Sequence, residues 1–220
     1  MFKFFAKLIH IATKIFFPHY CVGCGKNNIL LCSTCAPKLE RNFSEEENII
    51  TALAYSDRAV RQLIWLMKYR GSSEATLILA QKLEEAILHH LSDVPDFFVT
   101  TEKILLVPVP MTRKHQRRRG WNQALLLAQT IAQISPASFT VSQAVVKVKD
   151  TKSQVHCQNK QERLQNLKNA FGLSPTADIA GKIVIVIDDV TTTGTTLTEI
   201  MRVLKQKPPR RLYSAAVAHG

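Results

Sequence analysis

Five aliphatic residues, Ile183 to Ile187, run straight into Asp188 and Asp189 in the stretch KIVIVIDDVTTTGTTLTEI. A short run that is apolar at every position reads as a strand buried on both faces, and such strands belong to parallel sheets covered by helices on each side. The neighbouring patterns agree. KILLVPVP is a second strand of the same kind, RGWNQALLLAQTIAQI a helix, and SFTVSQAVVKV contains another strand. KIVIVID is followed by a helix over about 196–205, a Pro208-Pro209 break and a final strand, RLYSAAVA. Strand and helix alternate from about residue 100 onward, which argues for an α/β domain with a mainly parallel sheet.

Ahead of that region, TALAY reads as a short strand. DRAVRQLIWLMKYR places Val60, Leu63, Ile64 and Met67 at helical spacing, with Asp57 as N-cap and Gly71 as the stop. A second helix is expected over about 74–91. From Lys149 to Asn169 the chain is polar and without clear period, and reads as a long loop that orders on a ligand.

What can two carboxylates followed by TTTGTT hold? Beyond the carboxyl end of a parallel strand is where open α/β sheets bind ligands. Thr191, Thr192, Thr193, Gly194, Thr195 and Thr196 form a turn into a helix N-terminus, whose N–H groups and hydroxyls suit an anion. Asp188 and Asp189 would repel that anion and need donors or a cation: a sugar diol, Mg²⁺ or both. A ligand with a phosphate at one end and free ribose hydroxyls at the other satisfies both halves. Neither a Walker A loop nor a G-x-G-x-x-G fingerprint is present. The plainer reading is an aspartate that caps a helix beside a threonine turn.

The chain has 220 residues, 46% of them hydrophobic, a net charge of +12 and a pI near 9.7. That apolar share argues against global disorder, and the charge favours polyanionic partners. Residues 101–170 hold 12 Lys or Arg against 3 Asp or Glu, so the excess sits in the middle third. Within it, RKHQRRRGWNQ carries Arg113, Lys114, Arg117, Arg118 and Arg119, either as a solvated loop or as contacts to pyrophosphate or DNA phosphates. Trp121 beside them suits base stacking or a core position equally.

Four of the five cysteines form CVGC and CSTC: Cys21, Cys24, Cys32 and Cys35. Two such knuckles supply the four thiolates of a tetrahedral structural Zn²⁺ site with no ligand position left open. The N-terminal MFKFFAKLIHIATKIFF reads as an amphipathic helix stopped by Pro18, packed on its own protein or lying at a membrane surface. It lacks the long apolar run of a spanning helix and the cleavage site of a secretory signal. The expected division is a helix over 1–17, a Cys₄ zinc module over 18–45 and the α/β domain over 46–220.

IVIVIDDVTTTGTTL resembles the phosphoribosyl pyrophosphate (PRPP) binding loop of type I phosphoribosyltransferases, with Thr191 where that pattern prefers an aliphatic residue. CVGC…CSTC, LMKYRG, VPVPMTRKHQRRRGWNQALLLA, TKSQ…QERLQNLKNAF and DDVTTTGTTL also stand in the order typical of the ComF family of competence proteins, from about residue 15 to the end. The resemblance implies a type I phosphoribosyltransferase-like fold with a small N-terminal zinc module. Asp188 and Asp189, as catalytic-site residues, would hold the ribose hydroxyls of PRPP, and the threonine loop its 5′-phosphate. Val109, Pro110, Met111 and Thr112 would form the pyrophosphate loop. Lys149–Arg163 would be the flexible loop that closes over the site, with Lys152, Gln154 and Arg163 as its candidates; the plain alternative is a polar connector. Lys68 would reach a phosphate or cap its own helix.

The same resemblance implies a role in natural transformation, handling incoming single-stranded DNA in the cytoplasm, with Mg²⁺ accompanying PRPP. An uptake helicase or other competence proteins are expected partners, and peripheral contact with the inner membrane is left to the N-terminal helix. The alternative is an active phosphoribosyltransferase that transfers the ribose phosphate to a base or amine. No acceptor-specificity element and no general base stand out in the sequence, so turnover is left open.

Overall fold

The computed structural model describes residues 20–42, 48–94, 102–111, 116–117, 120–149, 167 and 169–220. The expected N-terminal helix lies outside them, as does most of the 149–169 segment.

Five strands form one all-parallel sheet: β1 (Ile49–Ala54), β2 (Ile104–Pro108), β3 (Phe139–Val141), β6 (Ile183–Thr191) and β7 (Arg211–His219). Their spatial order is β1-β7-β6-β2-β3. A separate antiparallel hairpin pairs β4 (Val145–Lys147) with β5 (Phe171–Leu173). The helices are α1 (Arg58–Trp65), α2 (Ser73–Ser92), α3 (Gln123–Ile134) and α4 (Thr195–Leu204).

Alternation along β6 divides the interior into two cores. Ile183, Ile185 and Ile187 face a cluster with α1, α2 and α3, which includes Leu63, Leu83 and Leu127. Val184 and Val186 face the other side, against Leu197, Ile200 and Val203 of α4 and Phe171 of the hairpin. Both faces of the strand are therefore dry, which is why its sequence shows no polar alternation.

From β2 the chain passes through α3 to β3 on one side. It later returns to the other side of β2 as β6, and continues through α4 to β7. The helices of these two crossovers, α3 and α4, lie in opposite cores. The β2/β6 boundary is thus the topological switch point, and open α/β sheets bind their ligands beyond the carboxyl ends of the strands at such a point.

Two boundaries differ from the sequence reading, whereas the strand expected at TALAY is β1. SFTVSQAVVKV splits into two strands of different sheets, and FGL forms a strand that its three residues could not announce. The central strand runs on through both aspartates to Thr191, because β7 keeps pairing: Asp188 with Ala216, Val190 with Ala218, Thr191 with His219.

The cysteine module packs onto the domain rather than standing apart. Leu30 and Leu39 belong to the core of α1 and α2. Its exit segment runs antiparallel along β1, with Arg41 bridging Leu53 and Ala54 N–H donating to the Glu40 carbonyl at 2.8 Å. That segment covers an otherwise open sheet edge. Among the described residues, no helix is long and apolar enough to cross a membrane.

Candidate functional site

Asp188 and Asp189 stand at the carboxyl end of β6, at the switch point. Successive strand residues point to opposite faces, so Asp189 lies on the α1 side and Asp188 on the α4 side. The Asp189 N–H donates to Asp188 Oδ1 at 2.8 Å. Lys68 Nζ sits 2.9 Å from Asp189 Oδ1, with the two side chains 19% and 14% exposed. Burial pushes the Asp188 carboxyl up to about 7, the neighbouring Asp189 charge adds to this, and the Asp189 N–H and Lys68 oppose it only in part. Burial works against the Lys68 ammonium, but Asp189, and more weakly Asp188, raise its pKa nonetheless. Two crowded carboxylates share one half-buried cation, and a ligand that brings hydroxyl donors or a second cation relieves them.

Lys68 reaches the aspartates through an irregular piece of helix. Asp57 caps α1, accepting from Ala59 N–H at 2.7 Å and Val60 N–H at 3.3 Å. The helix then widens into one π turn, Leu66–Arg70, and stops at Gly71 with φ 60°. π turns re-aim side chains within a helix and recur at functional sites. Two residues next to and on α3 hold this turn. Trp121 Nε1–H donates to the Met67 carbonyl at 3.2 Å, and Gln123, 1% exposed, reaches the Lys68 carbonyl at a long 3.5 Å. The indole lies so close that a Cβ on Gly71 would sit 2.9 Å from its ring. Trp121 is thus a brace for the turn that carries Lys68, and its indole N–H is engaged.

The loop half of the site follows β6 directly. Thr191 is 5% exposed and still strand, which sets it apart from the turn. Thr192, Thr193 and Gly194 make the turn, with Gly194 at φ 64° before α4 begins. Gly194 at the N-cap position of α4 has no side chain to cap it, and Thr193 and Thr195 share a hydroxyl hydrogen bond of 2.7 Å. Thr196 is half-buried in the first turn. A helix start with a glycine N-cap beside several hydroxyls suits an anion.

Val109, Pro110 and Met111 lie across from the aspartates. Val109 N–H donates to the Ile187 carbonyl at 2.9 Å, so this segment leaves the sheet beside Asp188. Asn122 holds it there: its Nδ2 donates to the Val109 carbonyl at 3.0 Å while its Oδ1 caps α3 at Ala124 and Leu125. Thr112, Arg113, Lys114, Arg118 and Arg119 lie outside the described residues, as do Lys152, Gln154 and Arg163. Arg117 is described and exposed. Sequence reasoning did not single out Asn122 or Gln123. The only signal for Asn122 was an Asx residue ahead of an apolar helix, which explains the cap and not the tie to Val109.

The four cysteines form a second site. Their sulfurs all lie within 4.8 Å of one another, so the cluster can hold a metal ion. Burial opposes ionisation of Cys21, but the N–H groups of Cys32, Cys24 and Gly23 bring its thiol down to about 6. Cys35 is pushed up to about 12 by the neighbouring Cys32 sulfur, by burial and by the other two thiols. Four thiolates in this space require a cation, and the donor set fits one that takes sulfur tetrahedrally. A Cβ on Gly23 would lie 2.8 Å from Cys35 Sγ, so only glycine lets the knuckles close.

The chain is similar to several known proteins. The Phosphoribosyl transferase domain matches residues 122–220. Competence protein F of Haemophilus influenzae is 30% identical over 192 residues, spanning 85% of this chain and 79% of that protein. The DNA utilization protein YhgH of Escherichia coli is 29% identical over 191 residues, spanning 84% and 77%. A solved hypoxanthine-guanine phosphoribosyl transferase of L. donovani is 16% identical over 65% of this chain and 70% of that one, with a TM-score of 0.40, a likeness too loose to place residues.

Proposed function

Because the chain belongs to the competence protein F family, we propose that it handles incoming single-stranded DNA in the cytoplasm during natural transformation. Its α/β domain carries a PRPP-type site for that role. The observation that supports the site is the meeting, at the β2/β6 switch point, of Asp188 and Asp189 with the Thr192–Thr196 cradle and with Val109–Met111. The carboxylates suit ribose hydroxyls, the helix start suits the 5′-phosphate, and the Val109 segment suits the pyrophosphate. Mg²⁺ arrives with PRPP and neutralises its pyrophosphate. Lys68 holds Asp189 in position while the site is empty. The cysteine cluster takes Zn²⁺ as a structural ion. The relatives' names, competence and DNA utilization, and the charge of +12 support the DNA role. An uptake helicase and peripheral contact with the inner membrane are the partners this reading leaves to test.

Calorimetric titration with PRPP, with and without Mg²⁺, tests the site. Saturable, Mg²⁺-dependent binding is expected, and Asp188→Ala with Asp189→Ala should abolish it while the metal content stays unchanged. Normal PRPP binding by that double variant would remove the assignment. The matching Phosphoribosyl transferase domain favours a second reading, turnover with a base or amine as acceptor, which pyrophosphate release under the same conditions would reveal.

A further inference from the structure

The outer face of α1 and its π turn exposes rings and positive charge that the ribose-phosphate site does not use. Its exposed positions are Arg58, Arg61, Gln62, Trp65, Tyr69 and Arg70. Trp65 is 47% and Tyr69 56% exposed, while the opposite face buries Val60, Leu63, Ile64 and Met67. The two rings stand 6.0 Å apart, tilted by 43°, and the Arg70 guanidinium lies 5.5 Å from the Trp65 ring centroid. The helix needs neither ring for its core. Exposed Trp, Tyr and Arg side by side are the composition of a recognition surface.

The face continues into a groove of about 580 Å³ between α1 and the cysteine module, lined in part by Tyr20, Lys38, Arg58 and Gln62. None of the exposed positions of α1 and its turn is acidic. The carboxylate that borders the groove, Asp57, is engaged by the N–H groups of Ala59, Val60 and Glu40. Glu40, nearby, accepts from the Ser56 hydroxyl. Arg61 donates to the carbonyls of Tyr55 and Ser56, which fixes its charge at the edge of the face.

We propose that this face and groove bind single-stranded nucleic acid, with bases stacked on Trp65 and Tyr69 and the phosphate backbone running past Arg58 and Lys38. The inference rests on the DNA-handling reading above and assigns its interface to α1 rather than to the basic run at 113–119. Positive charge alone would suit any polyanion. Exposed rings beside it select one whose bases are unpaired, since a duplex hides its base faces. Lys68 belongs to the same π turn and points inward to Asp189, so the interface and the ribose-phosphate site share one structural piece.

The full metal-loaded chain is titrated with labelled oligo(dT), followed by anisotropy and by intrinsic fluorescence. The chain has two tryptophans, Trp65 and Trp121, so a Trp65→Phe variant isolates the signal of Trp65. Expected are binding with quenching of Trp65, a loss of about tenfold or more in affinity for Trp65→Ala with Tyr69→Ala, and near-normal affinity for Trp65→Phe. Melting temperature and unchanged metal content confirm that the variants are folded. If the double variant binds oligo(dT) as the parent does, this interface is wrong and the DNA role stands, with Arg117→Ala and Arg118→Ala testing the basic run instead. If duplex DNA or heparin competes as well as oligo(dT) whether or not the rings are present, the face is only a charge patch and the proposal falls. If the parent chain does not bind oligo(dT) at low salt, the DNA-handling reading falls with it.

Discussion

Asp188 ties the site to neutral pH. Its folded pKa of about 7 lies well above the ordinary 3.8, so the folded chain holds a proton there that the unfolded chain has released. Stability from this group is therefore fully present below about 3.8 and is lost as pH rises through about 7. Denaturant unfolding of the parent and of Asp188→Asn should diverge over that window, with the variant relatively more stable at pH 8 than at pH 5. Ligand binding should run the other way, because ribose hydroxyls need the ionised carboxylate: PRPP affinity is expected to increase from pH 6 to pH 8. Lys68→Met should move the midpoint of that increase upward, since the Lys68 charge helps Asp188 ionise. The same change strips Asp189 of its partner and should cost on the order of 3 kcal/mol of stability. A midpoint that stays in place would show that Lys68 does not act on the pair.

The π turn depends on contacts from outside itself. Nothing within LMKYR demands an i→i+5 turn; Trp121 and Gln123 bind its carbonyls, and Gly71 gives the indole room. Gly71→Ala should therefore do more than strain the backbone. The left-handed conformation alone costs a side chain about 1–2 kcal/mol. Gly181 has φ 70° and no heavy atom within 4 Å of where an alanine methyl would sit, so Gly181→Ala isolates that backbone cost. Thermal melts should show a larger loss for Gly71→Ala than for Gly181→Ala, and only Gly71→Ala should weaken PRPP binding. Equal effects would mean the Trp121 brace does not matter. In β6, Ile185 is fully buried in the middle strand of the sheet, and Ile185→Ala should cost about 2–5 kcal/mol by equilibrium unfolding.

The molecule as a whole should unfold as one unit that includes the cysteine module. Leu30 and Leu39 pack in the core of α1 and α2, Leu30 N–H donates to Glu74 Oε1 at 3.2 Å, and the exit segment pairs along β1. Structural zinc supplies on the order of 10 kcal/mol of apparent binding energy to such a fold. Chelation, or Cys32→Ser, is expected to lower the main thermal transition rather than to add a separate early one. An unchanged main transition would make the module an independent appendage. Oligo(dT) affinity should fall with salt at a log–log slope of roughly 0.7 per phosphate neutralised.

Patterns local in the chain carried most of the fold. The run Ile183–Ile187 announced a strand buried on both faces, because burial on both sides leaves no polar alternation. Asp57 and Gly71 announced helix ends through capping chemistry that acts within a few residues. The paired aspartates, the threonine turn and the two cysteine knuckles stood out as patterns because each is nearly contiguous in the chain. Long-range pairing decided the rest. The strand continues through both aspartates because β7 is there to accept it, and FGL is a strand because Val145–Lys147 lies beside it. Lys68 became the partner of Asp189, and Trp121 a brace for the turn between them, across 121 and 54 residues of chain respectively. No local pattern encodes such a meeting, because it is set by which faces of the sheet the helices cover.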